Sequence, residues 1–572
     1  MSRDDPPLKE TPDIQGAYPR LSRAQIRTLE AVGAKRRVEE GDVLYREGDS
    51  TCDFFVILSG LIKVVEHFGK EERVVGVHGP GRFLGELGLV RSQSVLFTAV
   101  VAEAGEVLVV PIHELRNLLT TDPMLGDVIL RALMMRRSIL IGMGAGMRII
   151  GPRSSPDTRR LRDFVARNRI PHQWLDTEAD SGAAALLRAL GPDAGECPIA
   201  FLPPDRVLHN PSPAELARAL GLLHPSASDE VCDLVVVGAG PAGLAASVYG
   251  ASEGLSTVAL ECVATGGQAG TTSRIENYLG FPAGISGAEL AERATIQAEK
   301  FGARLSVPAQ AVGLDPGAEH HQVRMSDGTT VRARAVVISC GVRYRKLQVP
   351  GYERLEGASV YYAATQIEAQ LCRSDPVVAV GGGNSAGQAT LFLSRFVPKL
   401  TLVVREHELG ENMSAYLAER IEQLESVEVL LHTEVRGLIG EEVLDAVMVE
   451  DTDTGERRRV DARSLFVFIG ARPHTHWLGE WVALDDGGYI LTGQAASGFR
   501  RAAGLGDGAD PSLLETSLPG VFAAGDVRSG SVPRVSAAVG DGATTIRLVH
   551  QRLAALSEAA LQPPPHTYVS SK

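Results

Sequence analysis

The stretch Asp233-Leu234-Val235-Val236-Val237-Gly238-Ala239-Gly240-Pro241-Ala242-Gly243 decides the reading of more than half of this chain. Residues 234–237 form an unbroken apolar, β-branched run, as expected of a strand buried on both faces of a parallel sheet. The run enters Gly238-x-Gly240-x-x-Gly243 and then a helix-like segment opened by Pro241. In such a loop the first glycine permits the tight turn and the second lets the backbone approach a pyrophosphate. The third allows close helix–strand packing, and the anion rests on the helix N-terminus. A second apolar run, Thr257-Val258-Ala259-Leu260, ends in Glu261, where an acid can take both ribose hydroxyls of a dinucleotide. Residues 234–252 carry no charge, yet glycines and Pro241 interrupt them, so the strand and its helix explain the stretch better than a membrane span does.

Working outward, the pattern recurs. Pro376-Val377-Val378-Ala379-Val380 leads into Gly381-Gly382-Gly383-Asn384-Ser385-Ala386 and then Leu400-Thr401-Leu402-Val403-Val404. Here Ala386 replaces the third glycine, and Arg405, not an acid, follows the second strand. An arginine there suits the 2′-phosphate of NADPH, although Glu406 beside it opposes that preference. Two dinucleotide sites in one block predict a flavin and a nicotinamide placed for hydride transfer.

Composition fits this picture. At roughly 100–200 residues per domain, 572 residues hold about three to five domains. The 57 basic and 70 acidic residues give a formal net charge of −13, which leaves no global attraction for nucleic acid or anionic lipid. Six scattered cysteines with no Cys-x-x-Cys fit a reducing compartment and exclude both a disulfide-stapled scaffold and a cysteine-rich zinc site. The polar, proline-bearing N-terminus is unlike a signal peptide, so the expected location is cytoplasmic. His474-Thr475-His476 lacks a third ligand, and no metal site is expected.

From about residue 230 to 555 the chain resembles thioredoxin reductase and its relatives among the two-dinucleotide-binding-domain flavoproteins. The resemblance rests on Gly266-Gly267-Gln268 with Glu276-Asn277-Tyr278, on Gly470-Ala471-Arg472-Pro473, and on Gly520-Val521-Phe522-Ala523-Ala524-Gly525-Asp526-Val527. It implies FAD held by Gly238, Gly240, Pro241, Ala242, Gly243, Glu261, Gly266, Gly267, Gln268 and Asn277, with Gly525 and Asp526 on the ribityl chain and Arg534, Val535 and Ser536 at the pyrimidine edge. It implies NADPH held by Gly381, Gly383, Asn384, Ser385, Ala386 and Arg405, in a domain inserted into the FAD domain, and a homodimer. One departure bears on mechanism. The family's Cys-Ala-Thr-Cys pair falls, by its spacing from Gly381, on Ala364-Thr365-Gln366-Ile367. Cys372 is the nearby single thiol and the one candidate for redox work, but one thiol cannot close its own disulfide. Cys340, inside an apolar run, reads as structural. The electron acceptor is therefore left open. A related branch, the thioredoxin-reductase-like ferredoxin–NADP reductases, also lacks the pair and covers its flavin with a C-terminal aromatic, a role for which Tyr568 or His566 is available.

Upstream, glycine- and serine-rich joints at residues 142–146 and 224–230 mark off two further blocks. In residues 1–142, short alternating runs between glycine turns predict a β-sandwich or barrel, and a long apolar helix is expected over residues 113–141. The block resembles the cyclic-nucleotide-binding domain family through Glu40-Gly41-Asp42-Val43-Leu44, Leu58-Ser59-Gly60 and Phe83-Leu84-Gly85-Glu86-Leu87. That implies a nucleotide-like pocket at Gly85, Glu86 and Thr98 for a cyclic nucleotide or other small ligand. Phe97, however, stands where the family's phosphate-binding arginine would be, with Arg82 or Arg91 as substitutes, and a phosphate buried without a cation is costly. The alternative is a β-roll kept for docking or dimerisation. Residues 143–224 follow a βαβαβ rhythm and resemble a glutaredoxin/thioredoxin-like module, with Cys197-Pro198 at the family's cis-proline. Ser154 and Ser155 stand where a redox dithiol would be. His320-His321 reads as solvated surface.

The expected architecture is thus multidomain: a β-roll with its helix (1–142), the small α/β module (143–224), and two Rossmann-like domains, FAD in two parts (225–347 and 476–572) and NAD(P)H (348–475). The expected activity is FAD-dependent oxidation of NADPH with an unknown acceptor. The alternatives are a ligand-gated, redox-sensing regulatory flavoprotein or a ferredoxin–NADP reductase-like enzyme.

Overall fold

The computed structural model describes residues 8–561 except 50–51, 69–70, 86–93, 181, 184–197, 204–205, 224–229, 273, 318, 357–358, 363, 365, 442 and 506–508. Arg91, Glu86, Cys197, Thr365 and the tail with His566 and Tyr568 lie outside the described residues. The chain divides into two compact units, one spanning Met1–His224 and the other Pro225–Lys572 apart from Glu299–Phe301. No described helix is long and apolar enough to cross a membrane.

The first unit opens with helix α1 (Arg23–Glu30), whose N-cap Ser22 accepts from the Gln25 amide while the Gln25 side chain caps Ser22 in return. A six-stranded antiparallel roll follows, built from β1 (Ala34–Val38), β2 (Val43–Tyr45), β3 (Phe54–Phe68), β4 (Glu71–His78), β5 (Phe83–Leu84) and β6 (Thr98–Val110). Its backbone order is β1-β6-β3-β4. Gly60 does not turn the chain as its glycine suggested. It sits at φ +85° inside the 15-residue β3, where the pairing register with β6 shifts, and is a bulge. The expected single helix is two, α2 (Ile112–Thr121) and α3 (Pro123–Gly142). Pro123 has no amide hydrogen to continue the first helix, and Asp122 caps the second by accepting from the Leu125 amide.

The adjoining module contains β7 (Met147–Gly151), α4 (Pro156–Arg167), β8 (His172–Asp176), β9 (Ile199–Leu202), β10 (Arg206–His209) and α5 (Pro213–Ala219). The sheet order is β10-β9-β7-β8. Among the described strands β7 and β8 pair in parallel and β9 runs antiparallel to β7; the helix expected over 183–190 lies outside the described residues from 184 on.

In the second unit β11 (Val231–Val237), α6 (Pro241–Ser252) and β12 (Thr257–Leu260) are the predicted strand, helix and strand. They join β13 (Arg304–Ser306), β14 (Ala311–Asp315), β15 (His321–Met325), β16 (Thr330–Ile338) and β27 (Val521–Ala523) in one seven-stranded sheet. Its core strands are parallel and fully buried, with Leu234, Val235, Val236 and Ile338 at 0% exposure. That is why the sequence there is apolar without alternation. A second, parallel sheet has the order β18-β25-β19-β20-β21, from β18 (Val360–Tyr361), β19 (Val377–Val380), β20 (Leu400–Val403), β21 (Val427–Leu430) and β25 (Ser464–Val467). A three-stranded antiparallel sheet of β22 (Thr433–Ile439), β23 (Ala446–Asp451) and β24 (Arg457–Asp461) accompanies it. The two passages of chain between the sheets, β17 (Val342–Tyr344) and β26 (Ala471–Pro473), pair antiparallel with each other.

Candidate active site

At the C-terminal end of β11 each loop glycine has its own reason. Gly238 adopts φ +101°, and a Cβ there would collide with the Ser339 carbonyl. A Cβ on Gly243 would collide with the Gly238 carbonyl, so α6 lies directly on the loop. Gly240 is different: a Cβ there would meet nothing closer than the Gly267 Cα at 4.0 Å. The cradle is open at the one position where a pyrophosphate must approach the backbone. Gly240 is also the N-cap of α6 and has no side chain to cap it, which leaves the helix N-terminus available to an anion.

Glu261 closes the cradle. Its Oε2 accepts from the Ala239 amide at 2.8 Å and its Oε1 from the Val263 amide at 3.0 Å, so the buried carboxylate is fixed beside the loop. Ser339 locks the opposite wall by donating to the Gly238 carbonyl at 2.8 Å. Gly525, at φ +74°, packs so tightly on α6 that a Cβ would lie 2.9 Å from the Ala242 Cβ. Its amide donates to the Asp541 carboxylate at 3.1 Å, which also pairs with Arg528 at 3.2 Å. Asp526 is thereby held half-buried, and burial together with the Asp541 charge raises its pKa above the ordinary carboxylate value.

The structure thus brings Gly238, Gly240, Ala242, Gly243, Glu261, Gly266, Gly267, Gly525 and Asp526 around one cradle. The Gln268 side chain donates to the Val342 carbonyl. Asn277 and Arg534 are exposed, while Val535 opens α8 (Val535–Leu561) with Ser536 next to it. The open backbone at Gly240, the uncapped helix and the anchored Glu261 fit the adenosine diphosphate part of FAD. Ser339 and Asp541 were not singled out in the sequence, because a serine and a helical aspartate carry no local signal.

The second loop repeats the arrangement with one change. Gly381 takes φ +139°, Gly383 is the uncapped N-cap of α7 (Asn384–Leu393), and a Cβ on Gly383 would meet nothing within 4 Å. Asn384 accepts from the Ser414 amide at 2.7 Å, and Ala386 is fully buried. Arg405 points away: its side chain is 74% exposed and its Nε pairs with Glu406 at 3.0 Å. It is Glu406 that abuts the loop, since a Cβ on Gly382 would collide with its Oε2, a buried atom with no hydrogen-bond partner.

Of the other candidates, Cys340 backs the first cradle, its Cα 2.7 Å from where a Gly238 Cβ would stand. Cys372 is 1% exposed in the core of the second parallel-sheet domain, with its Sγ donating to Ser464 Oγ at 3.1 Å. A thiol sealed in this way reaches neither solvent nor a partner disulfide, which removes it as a redox candidate. Cys340 donates to the His474 carbonyl, and burial pushes its thiol up to about 12. His321 is buried, not solvated, with Nε2 on the Pro519 carbonyl.

In the β-roll, Thr98 is spent on structure, accepting from the Glu47 amide at 3.2 Å. Gly85 has a left-handed φ of +127°. Arg82 does not replace the missing arginine: it donates to the Thr11 carbonyl at 2.6 Å and pairs with Glu10 at 3.4 Å. Phe97 is buried and lines a cavity together with Tyr18, His78 and Arg136.

Comparison with known proteins agrees with this geometry. A model of the pyridine nucleotide-disulphide oxidoreductase family matches residues 232–542, and one of the cyclic nucleotide-binding domain matches residues 35–122. The thioredoxin reductase of Streptomyces clavuligerus is 34% identical over 339 residues, covering 59% of this chain and 99% of the relative. That of Mycolicibacterium smegmatis is 35% identical over 318 residues, covering 55% and 95%. The structure of Lactococcus lactis thioredoxin reductase in its FR conformation matches with a TM-score of 0.51 at 26% identity, covering 57% of this chain and 99% of that one. The T. acidophilum thioredoxin reductase matches at 0.50 and 28%, covering 58% and 100%.

Proposed function

Because this chain belongs to the pyridine nucleotide-disulphide oxidoreductase family, with thioredoxin reductases as its relatives, we propose that it oxidises NADPH through FAD and passes the electrons to an acceptor other than its own dithiol. The family's members are NAD(P)H-dependent flavoproteins that use FAD and NADPH, and this chain carries a cyclic nucleotide-binding domain ahead of that core. FAD, when bound, supplies the two-electron redox chemistry. The protein's part is to orient and to exclude water. Glu261 receives the ribose, α6 the pyrophosphate and Asp526 the ribityl chain, while α7 receives the nicotinamide nucleotide's pyrophosphate.

The single observation that carries the proposal is the thiol inventory. The chain has six cysteines and no Cys-x-x-Cys. Ala364 is buried where the family pair would begin, and Cys372 is sealed in the core. A dithiol relay needs a thiolate that attacks and a second that resolves the mixed disulfide. The upstream module gives no substitute. Its strand order β10-β9-β7-β8 with one parallel pair supports a thioredoxin-like reading, but Ser155 N-caps α4 and Ser154 bonds to Glu178 at the dithiol position. Hydroxyls do not exchange electrons.

A second reading concerns the donor. Glu406 faces the second loop much as Glu261 faces the first, and its neighbour Arg405 is already paired to it. An acid in that place takes a bare ribose diol and repels a 2′-phosphate, which favours NADH. Both points are tested by mixing anaerobic protein with NADPH or NADH and following the flavin band near 450 nm, then adding quinone, ferricyanide, disulfide or ferredoxin acceptors in turn. Bleaching by a nicotinamide and repeated recovery with a non-disulfide acceptor supports the proposal. A flavin that recycles only with thioredoxin disulfide contradicts it.

A further inference from the structure

Within the first unit the α/β module is fastened to the β-roll and its helix α3. The Ser94 amide, in the run that leads to Phe97, donates to the Leu220 carbonyl just after α5 at 3.3 Å. Arg169, just after α4, donates from Nη2 to Ser138 Oγ on α3 at 3.0 Å. A buried carboxylate completes the fastening. Glu66 of β3 has a side chain only 4% exposed, and it accepts from the Gly146 amide at 2.9 Å and from Arg148 Nη2 at 3.3 Å. It also pairs with Arg73 Nε of β4 at 2.9 Å. Burying a carboxylate is costly unless donors satisfy it, and Gly146 and Arg148 both belong to the module. Gly146 lies so close to Pro171, at φ +102°, that a Cβ would collide with that carbonyl.

Beside this clamp the apolar cores are continuous. Val75 and Phe97 of the roll and Leu140 of α3 belong to one buried cluster with Met147, Ile149 and Phe164 of the module. Phe97 is 3% exposed and stands at the position of the phosphate-binding arginine in the cyclic-nucleotide-binding family. A guanidinium there would enter this apolar core without a counter-charge, and a phosphate brought to the phenyl ring would lose its water and gain no cation. The ring suits an apolar neighbour, and the module supplies one.

We propose that the α/β module is the resident partner of the β-roll and that its docking takes the place of cyclic-nucleotide binding. The roll and the module then open as one body, and the roll answers to no cyclic nucleotide. The occupant is tethered through the short joint at residues 142–146, so docking is intramolecular and holds at any protein concentration. The inference concerns the first unit alone and stands apart from the flavin reading.

The test is hydrogen exchange of the full chain, read by mass spectrometry on peptides from β3, β4 and β7. We expect β4 and β7 to exchange through one common opening, with rates that rise in parallel as urea is added below the unfolding transition. Arg148→Met removes one module donor from Glu66 and speeds exchange about tenfold in β4 as well as in β7; a merely local role would move β7 alone. Cyclic AMP and cyclic GMP at millimolar concentration leave the exchange of β3 and β4 unchanged. Should the variant fail to fold, the urea series and the nucleotide additions on the wild-type chain still decide. Opening of β7 independently of β4, an Arg148→Met effect absent from β4, or protection of β3 and β4 by either nucleotide overturns the proposal.

Discussion

The Ala239 amide donates to the Glu261 carboxylate at 2.8 Å, so the acid at the end of β12 and the middle of the first glycine loop form one rigid piece. One oxygen fixes the loop, and in the proposed function the same carboxylate receives a ribose. Glu261→Gln places an amide nitrogen against one of the two backbone donors. We expect FAD affinity to fall about tenfold or more, as losing roughly 1.4 kcal/mol would give. Flavin release on dilution, followed by fluorescence, measures it.

Two glycines of the same loop separate folding from binding. Gly243→Ala drives a methyl into the Gly238 carbonyl and costs about 1–3 kcal/mol in the apoprotein itself. Gly240→Ala meets no protein atom closer than 4.0 Å, so the apoprotein melts as wild type and only the gain on adding FAD is lost. Melting curves of both variants with and without FAD check this.

Asp526 is held half-buried beside Asp541. Asp526→Ala is expected to purify without yellow colour at wild-type yield, and absorbance at 450 against 280 nm gives the result. Stoichiometric FAD in that variant means the ribityl contact is elsewhere.

We expect Glu406 to weigh on the donor preference. Removing its charge in Glu406→Gln frees Arg405 and relieves repulsion of a 2′-phosphate, so the kcat/KM ratio of NADPH to NADH rises about tenfold, equivalent to 1.4 kcal/mol.

His321 gives the second unit a defined acid response. Burial lowers its pKa from 6.5 to about 4. Between those values the unfolded chain binds a proton that the folded chain refuses, so stability falls as pH drops from 6.5 towards 4. The slope from this group approaches about 1.4 kcal/mol per pH unit. His321→Gln flattens that part of the profile in thermal melts from pH 7 to 4.5.

What was legible in the sequence is what local chemistry dictates. The strands at 234–237 and 377–380 and both glycine loops show because burial on two faces and left-handed or open backbone demand particular residue types. What was illegible depends on partners distant in sequence. His321 looks solvated beside His320 until β15 is seen to carry its ring onto Pro519. Gly60 looks like a turn until β3 runs through it. Arg405 reads as the phosphate ligand from its position, and only the structure shows Glu406 beside it against Gly382. Ser339 and Asp541 serve the cradle from 101 and 16 residues away, and no local pattern announces them.

In the proposed reaction FAD is the sole two-electron centre of the chain. Anaerobic titration of the purified, FAD-loaded protein with dithionite measures this directly, by counting two-electron equivalents until the 450 nm band and the thiol content stop changing. The expected result is one equivalent per FAD with no new thiol. A second equivalent, accompanied by two new thiols, would reveal a working disulfide and contradict it.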